Sequence, residues 1–140
     1  MECRTEKMIM RTNIKFDNGH LYIPAEEKQK EIDLLNIKSN VGEDGGFIFY
    51  DDNNNEICHI AIRTDRKSCE ISYGTKEQFR KKGYMQEALS FLLRFFSKNG
   101  LNEDVYALIC NNPVSEHILK KNGFEKEHSN ESGGDWFVFK

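Results

Sequence analysis

The chain has little that would tie it to a membrane, a metal or a nucleic acid. No apolar run approaches the roughly 20 residues that cross a bilayer. The first ten residues, MECRTEKMIM, have no apolar centre of the signal-peptide kind. The four cysteines, Cys3, Cys58, Cys69 and Cys110, form no CxxC pair. Three of them lie in apolar, strand-like runs and read as small buried thiols of a reducing, cytoplasmic compartment. No metal site is expected. A net charge of −3 and a pI near 5.8 give no general attraction to nucleic acid. There is no repeat, no low-complexity tract and no linker, and 140 residues suffice for one domain, 1–140, with one core.

Against that background one basic turn stands out. The run Cys69-Glu70-Ile71-Ser72-Tyr73-Gly74 has strand character. Thr75 to Ala88 follows it, reading TKEQFRKKGYMQEA, and Gln86 to Lys98 has helical spacing. Strand, short turn, helix is an order that points backbone N–H groups and a helix N-terminus at one spot. Such a spot suits a phosphate or diphosphate. Arg80, Lys81 and Lys82 add positive charge, and Gly83 lets the backbone approach a ligand closely.

The rest of the chain supplies a scaffold. Met8 to Met10 is read as the start of an edge strand. Ile14 to Phe16 and Leu21 to Ile23 flank Asp17-Asn18-Gly19, a hairpin signal. Pro24 suits the first turn of a helix over about Ala25 to Ile37. Phe47 to Tyr50, Glu56 to Arg63 and Ser68 to Gly74 are expected as an antiparallel meander, apolar on both faces. The helix after the basic turn carries Met85, Ala88, Leu89, Leu92, Leu93 and Phe96 on one stripe, widened by Phe91 and Phe95, and ends at Asn99-Gly100. Val105 to Cys110 is a central strand. Asn112 caps a second helix with Pro113 at its first position, and that helix ends at Asn122-Gly123. Phe124 to Glu127 and Trp136 to Phe139 are the last strands.

Two blocks now bear comparison with a known family. Arg80-Lys81-Lys82-Gly83-Tyr84-Met85 resembles the acetyl-CoA turn R/Q-x-x-G-x-G/A of the GNAT N-acetyltransferases. Asn112 to Phe124, NPVSEHILKKNGF, resembles their second block, N-x-x-S/A-x-x-[LI]-Y-x-x-x-G-F. The stretch from Cys69 to Phe124 looks nearest the ribosomal-protein (Rim-type) branch. The resemblance implies an α/β (α+β) fold with a mixed, mostly antiparallel central sheet flanked by helices. An acyl-CoA cleft would lie where two central strands splay. It also implies acetyl-CoA as co-substrate and a primary amine as acceptor, either a protein N-terminus or a small amine. A homodimer is compatible with it. The sequence departs from the pattern twice. Met85 stands where the turn has a small residue, and Leu119 stands where the family often has the tyrosine that protonates the leaving thiolate. The first third, short and poor in apolar residues, matches the family poorly.

Acetyl transfer to an amine must hold the thioester, take a proton from the ammonium and stabilise the departing thiolate. By the resemblance, holding falls to the amides of Arg80 to Met85 (Tyr84 among them) and to the strand edge at Tyr73, Gly74 and Thr75. Asn112 would bond the pantetheine arm as well as cap its helix. Glu70 is the candidate base: it stands where the resemblance places a catalytic glutamate, and partial burial in an apolar strand favours its accepting a proton. His59 and His117 are rivals. Ser115 is the candidate donor to sulfur, with Tyr84 and Tyr73 as rivals. The expected reaction is direct attack in a ternary complex without a covalent intermediate. Cys110 lies near enough to the expected cleft to keep a nucleophile open. The alternative is a module that binds acyl-CoA without turnover.

Overall fold

The computed structural model describes residues 2–12, 14–17, 19–22, 45–65, 68–101, 104–110, 112–129 and 133–140. Alternating apolar residues make its strands, and a meander forms the middle of the sheet. β5 (Gly45–Tyr50), β6 (Glu56–Asp65) and β7 (Ser68–Thr75) pair antiparallel in succession. The turn between β5 and β6 is closed by Asp51, whose carboxylate accepts from the Asn53 and Asn55 amides at 2.9 and 2.8 Å. β1 (Glu2–Arg4) and β2 (Ile9–Thr12) extend the sheet beyond β5. Beyond β7 lie β8 (Asp104–Ile109), β10 (Asp135–Phe139) and β9 (Glu125–Ser129). The order is β1-β2-β5-β6-β7-β8-β10-β9, with β3 (Lys15–Asp17) and β4 (His20–Tyr22) forming a separate hairpin.

This is the mixed, mostly antiparallel sheet expected from the sequence. One expectation is corrected. The strand at Met10 is not the edge, because β2 pairs with β5 on one side and with β1 on the other. β1, with Glu2 and Arg4 flanking Cys3, is too short and charged to leave a pattern. The helix expected over Ala25 to Ile37 lies outside the described residues.

β7 and β8 run parallel, so the chain must cross over between them. It does so through α1 (Tyr84–Lys98). The apolar stripe of α1 is buried as expected, with Ala88, Leu89 and Leu92 fully inside and Phe95 buried beside them. Each such leucine contributes about 1.5–3 kcal/mol relative to an exposed one. Phe95 and Phe96 meet Phe16 and Phe47 edge-on at 5.6–6.1 Å, which ties the β3–β4 hairpin to the far end of α1. A smaller cluster, Ile48 and Tyr50, lies apart from this core.

Candidate functional site

The β7–β8 ladder is short. It runs from Ser68–Asp104 to Ile71–Ala107 and stops. β7 continues to Thr75 and β8 to Ile109, so the two strands part at their C-terminal ends. Because they are parallel, these ends lie on the same side of the sheet, and each leads toward a helix. α1 follows β7, and α2 (Pro113–Lys121) follows β8. Topology therefore brings two helix N-termini, each with its surplus of N–H donors, to the two walls of one gap.

The β7 wall keeps backbone groups available. The Lys76 amide donates to the Ile57 carbonyl at 2.8 Å, in register with the β6–β7 pairing. By antiparallel alternation, Gly74 and Ser72 also turn their backbone toward β6. Tyr73 and Thr75 turn theirs toward the gap. The Thr75 carbonyl accepts from Arg80 Nε at 3.1 Å, which draws that guanidinium back against the strand end.

The turn from Lys76 to Gly83 is a single 3-10 turn, Glu77–Phe79, followed by an irregular basic segment. Lys81 and Gly83 both have positive φ, +63° and +80°. For Gly83 that conformation is unstrained. A β-carbon built there would meet no atom within 4 Å, so the backbone can be approached from outside. Gly83 caps α1 with no side-chain acceptor, and the first helical bond is Glu87 N–H to the Gly83 carbonyl. Among the described residues, the amides of Lys81 to Gln86 have no acceptor. Lys81 and Lys82 are exposed beside them.

Met85 does not crowd this turn. Its side chain is buried in the core, and its amide has no acceptor among the described residues. Tyr84 packs its ring edge-on against Phe79 at 5.8 Å. Lys76 is held by Glu56 at 3.1 Å.

On the opposite wall Asn112 caps α2 as expected, accepting from the Ser115 amide at 3.1 Å. Leu119 is fully buried in the core. Ser115 and Tyr73 are brought together: the Tyr73 hydroxyl donates to the Ser115 carbonyl at 3.3 Å, from β7 to the first turn of α2. Burial pushes the Tyr73 phenol above its ordinary pKa, and the bond to Ser115 opposes this. The contact joins residues 42 apart in the chain, so no local pattern could have announced it.

The other candidates lie further back. Glu70 is half-buried, with Arg63 and Tyr106 as its neighbours in the adjacent strands, so it sits where β7 and β8 are still paired. His59 is opposite Gly74 on β6. Its ring occupies the room a side chain at 74 would need, with Cε1 3.1 Å from the β-carbon position. Burial holds His59 below its ordinary pKa; the Glu56 charge opposes this and the Lys76 charge adds to it. His117 is exposed on α2, and Cys110 is exposed just after β8. Cys58 is inert, because burial first, then the Glu56 and Glu87 charges, push its thiol up to about 12. Sequence reasoning missed Glu87, whose carboxylate accepts from Thr5 Oγ1 at 2.5 Å and the Lys7 amide at 3.0 Å. This ties the β1–β2 turn to the start of α1.

A parted pair of parallel strands with open amides at the following helix is a distinctive arrangement, and comparison with known proteins agrees with it. The family model for an acetyltransferase (GNAT) domain matches residues 3–125. No curated protein sequence matches the chain. A GNAT-family acetyltransferase from Bacillus anthracis superposes with a TM-score of 0.68 at 16% identity, covering 99% of this chain and 98% of that one. The ribosomal-protein-S5-alanine acetyltransferase from Vibrio fischeri gives 0.67 at 17%, covering 99% and 94%. Spermidine N-acetyltransferase from Vibrio cholerae, in complex with CoA and spermine, gives 0.55 at 18%, covering 66% and 62%. The family match starts in the first third, which the sequence blocks alone left out. The chain belongs to the GNAT family of acetyltransferases.

Proposed function

We propose that the protein transfers an acetyl group from acetyl-CoA to a primary amine by direct attack in a ternary complex. The observation that carries this reading is the row of amides from Lys81 to Gln86, which lack acceptors among the described residues at the gap between β7 and β8. The residues fit the co-substrate. Arg80, Lys81, Lys82, Gly83, Tyr84 and Met85 would hold the diphosphate, chiefly through backbone N–H groups and the positive charge beside them. Tyr73, Gly74 and Thr75 form the strand edge for the pantetheine arm, where the backbone of Tyr73 and Thr75 is turned toward the gap. Asn112 borders the same gap at the start of α2.

Bound acetyl-CoA supplies an activated acyl group. The chain's own part is to orient it and manage protons. We assign proton acceptance from the amine to Glu70, acting through water because it sits behind the gap. Stabilisation of the departing thiolate is assigned to Ser115 at the start of α2. The acceptor is a protein N-terminus or a small amine, with the reaction set in the cytoplasm.

The test is product formation and thiol release from acetyl-CoA with a panel of peptide N-termini, polyamines and amino-sugars. Turnover with one class identifies the acceptor. Glu70→Gln is expected to lower kcat by about 100-fold while CoA affinity persists. Equal rates for the two proteins would remove Glu70 from the mechanism. The burial of Leu119 favours a second reading, a module that binds acyl-CoA without turnover. CoA binding with no product from any amine would select it.

A further inference from the structure

Resting on the acetyl-transfer reading, the next question is which group delivers a proton to the sulfur. Among the described residues, few hydroxyls near the gap could. Leu119 is hydrocarbon and fully buried. Tyr84 sits on the basic turn with its ring edge-on to Phe79, and Tyr106 lies where β7 and β8 are still paired, opposite Glu70. Ser115 carries an aliphatic hydroxyl, a poor proton donor. Tyr73 differs from all of these. Its side chain leaves β7 two residues past the last pair with β8, and its hydroxyl reaches the first turn of α2.

That hydroxyl is held loosely. At 3.3 Å the bond to the Ser115 carbonyl is longer than a good O–H···O bond, so a better acceptor arriving in the gap can take the proton in its place. The chemistry also matches. A phenol titrates near 10 and an alkyl thiol near 8.5, about 1.5 units apart, and proton transfer is most effective between groups so matched. The influences on Tyr73 are burial and the Ser115 bond, with no charged side chain among them. The phenol therefore stays protonated at neutral pH and stands ready to donate.

We propose that Tyr73 is the proton donor to the departing thiolate, acting from the β7 wall of the gap. The amine nitrogen bonds to the carbonyl carbon and the carbon–sulfur bond breaks. Its electron pair goes to sulfur, which takes the proton from Tyr73 Oη. Two ammonium protons leave the nitrogen through the base to water, and one of them, relayed by water, restores the Tyr73 phenol. The products are the amide, the free thiol and one released proton.

Three measurements on the full chain test this. Tyr73→Phe should lower kcat by about 100-fold and leave the KM for acetyl-CoA nearly unchanged, whereas a purely structural tie would raise KM. Replacing Tyr73 by 3,5-difluorotyrosine, a more acidic phenol, should move the alkaline limb of kcat to lower pH. Wild type should prefer CoA over desulfo-CoA, and Tyr73→Phe should narrow that preference. An unchanged kcat in Tyr73→Phe, an unmoved limb, or equal sulfur preference in the two proteins overturns the inference while leaving acetyl transfer intact. Wild type that neither binds CoA nor releases thiol overturns both.

Discussion

Gly74 and His59 form a unit at the residue scale. The imidazole lies where a β-carbon at 74 would be, so glycine there keeps the ring seated at the strand end. The ring is half-buried, and that burial favours its neutral form. Because its folded pKa lies below the ordinary 6.5, the unfolded chain binds the proton more readily. His59 thus supports stability fully above about pH 6.5, and that support is lost as pH falls toward the folded value. Urea midpoints should drop between pH 7.5 and 5.5 in wild type and drop less in His59→Gln. Parallel slopes would show that another group titrates. Asp51, Asp52 and Asp135, held below 3.8 by hydrogen bonds to Asn55, Arg4 and Ser129, act only at lower pH. Gly83 is the second residue whose identity is fixed by geometry. At φ +80° a β-branched residue is strained by about 1–2 kcal/mol. Gly83→Val should therefore keep the fold, losing a few degrees in Tm, while CoA affinity falls at least tenfold. Retained affinity, measured by calorimetry, would separate the turn from binding.

Among the elements, α1 and α2 were the most legible in the sequence, for local reasons. Asn112-Pro113 and the two Asn-Gly pairs state their ends chemically. Each C-terminus closes by the same pair of bonds: Leu101 N–H to Phe96 and Gly100 N–H to Ser97, then Phe124 N–H to Leu119 and Gly123 N–H to Lys120. The meander was legible too, from its apolar alternation between polar turns. β1 was not, because three residues carry no period, and neither was the inner place of β2, which only pairing reveals. The Thr5–Glu87 tie was illegible for the same reason, since Glu87 reads as part of the solvated face of α1. It holds a buried threonine and a backbone amide, so Glu87→Ala should cost about 1–3 kcal/mol. A denaturation midpoint unchanged from wild type would mean that water replaces the carboxylate without loss.

For the whole molecule, the proposed function rests on one interruption in the sheet. Among the described residues eight strands are joined edge to edge, and the parallel pair β7 and β8 gives up its ladder after Ile71 and Ala107. The sequence placed the basic turn and the second helix block, the parts that carry local chemistry. It could not place the gap's far wall against its near one, because Tyr73 and Ser115 meet only through the crossover. The central claim is that the open amides after β7 grip the diphosphate of coenzyme A. A titration of the isotope-labelled protein with CoA, followed by amide resonances, tests it most directly. The largest shifts are expected at Lys81 to Gln86, with small ones in β1 and β9. Saturable CoA binding that leaves those amides unmoved would contradict it.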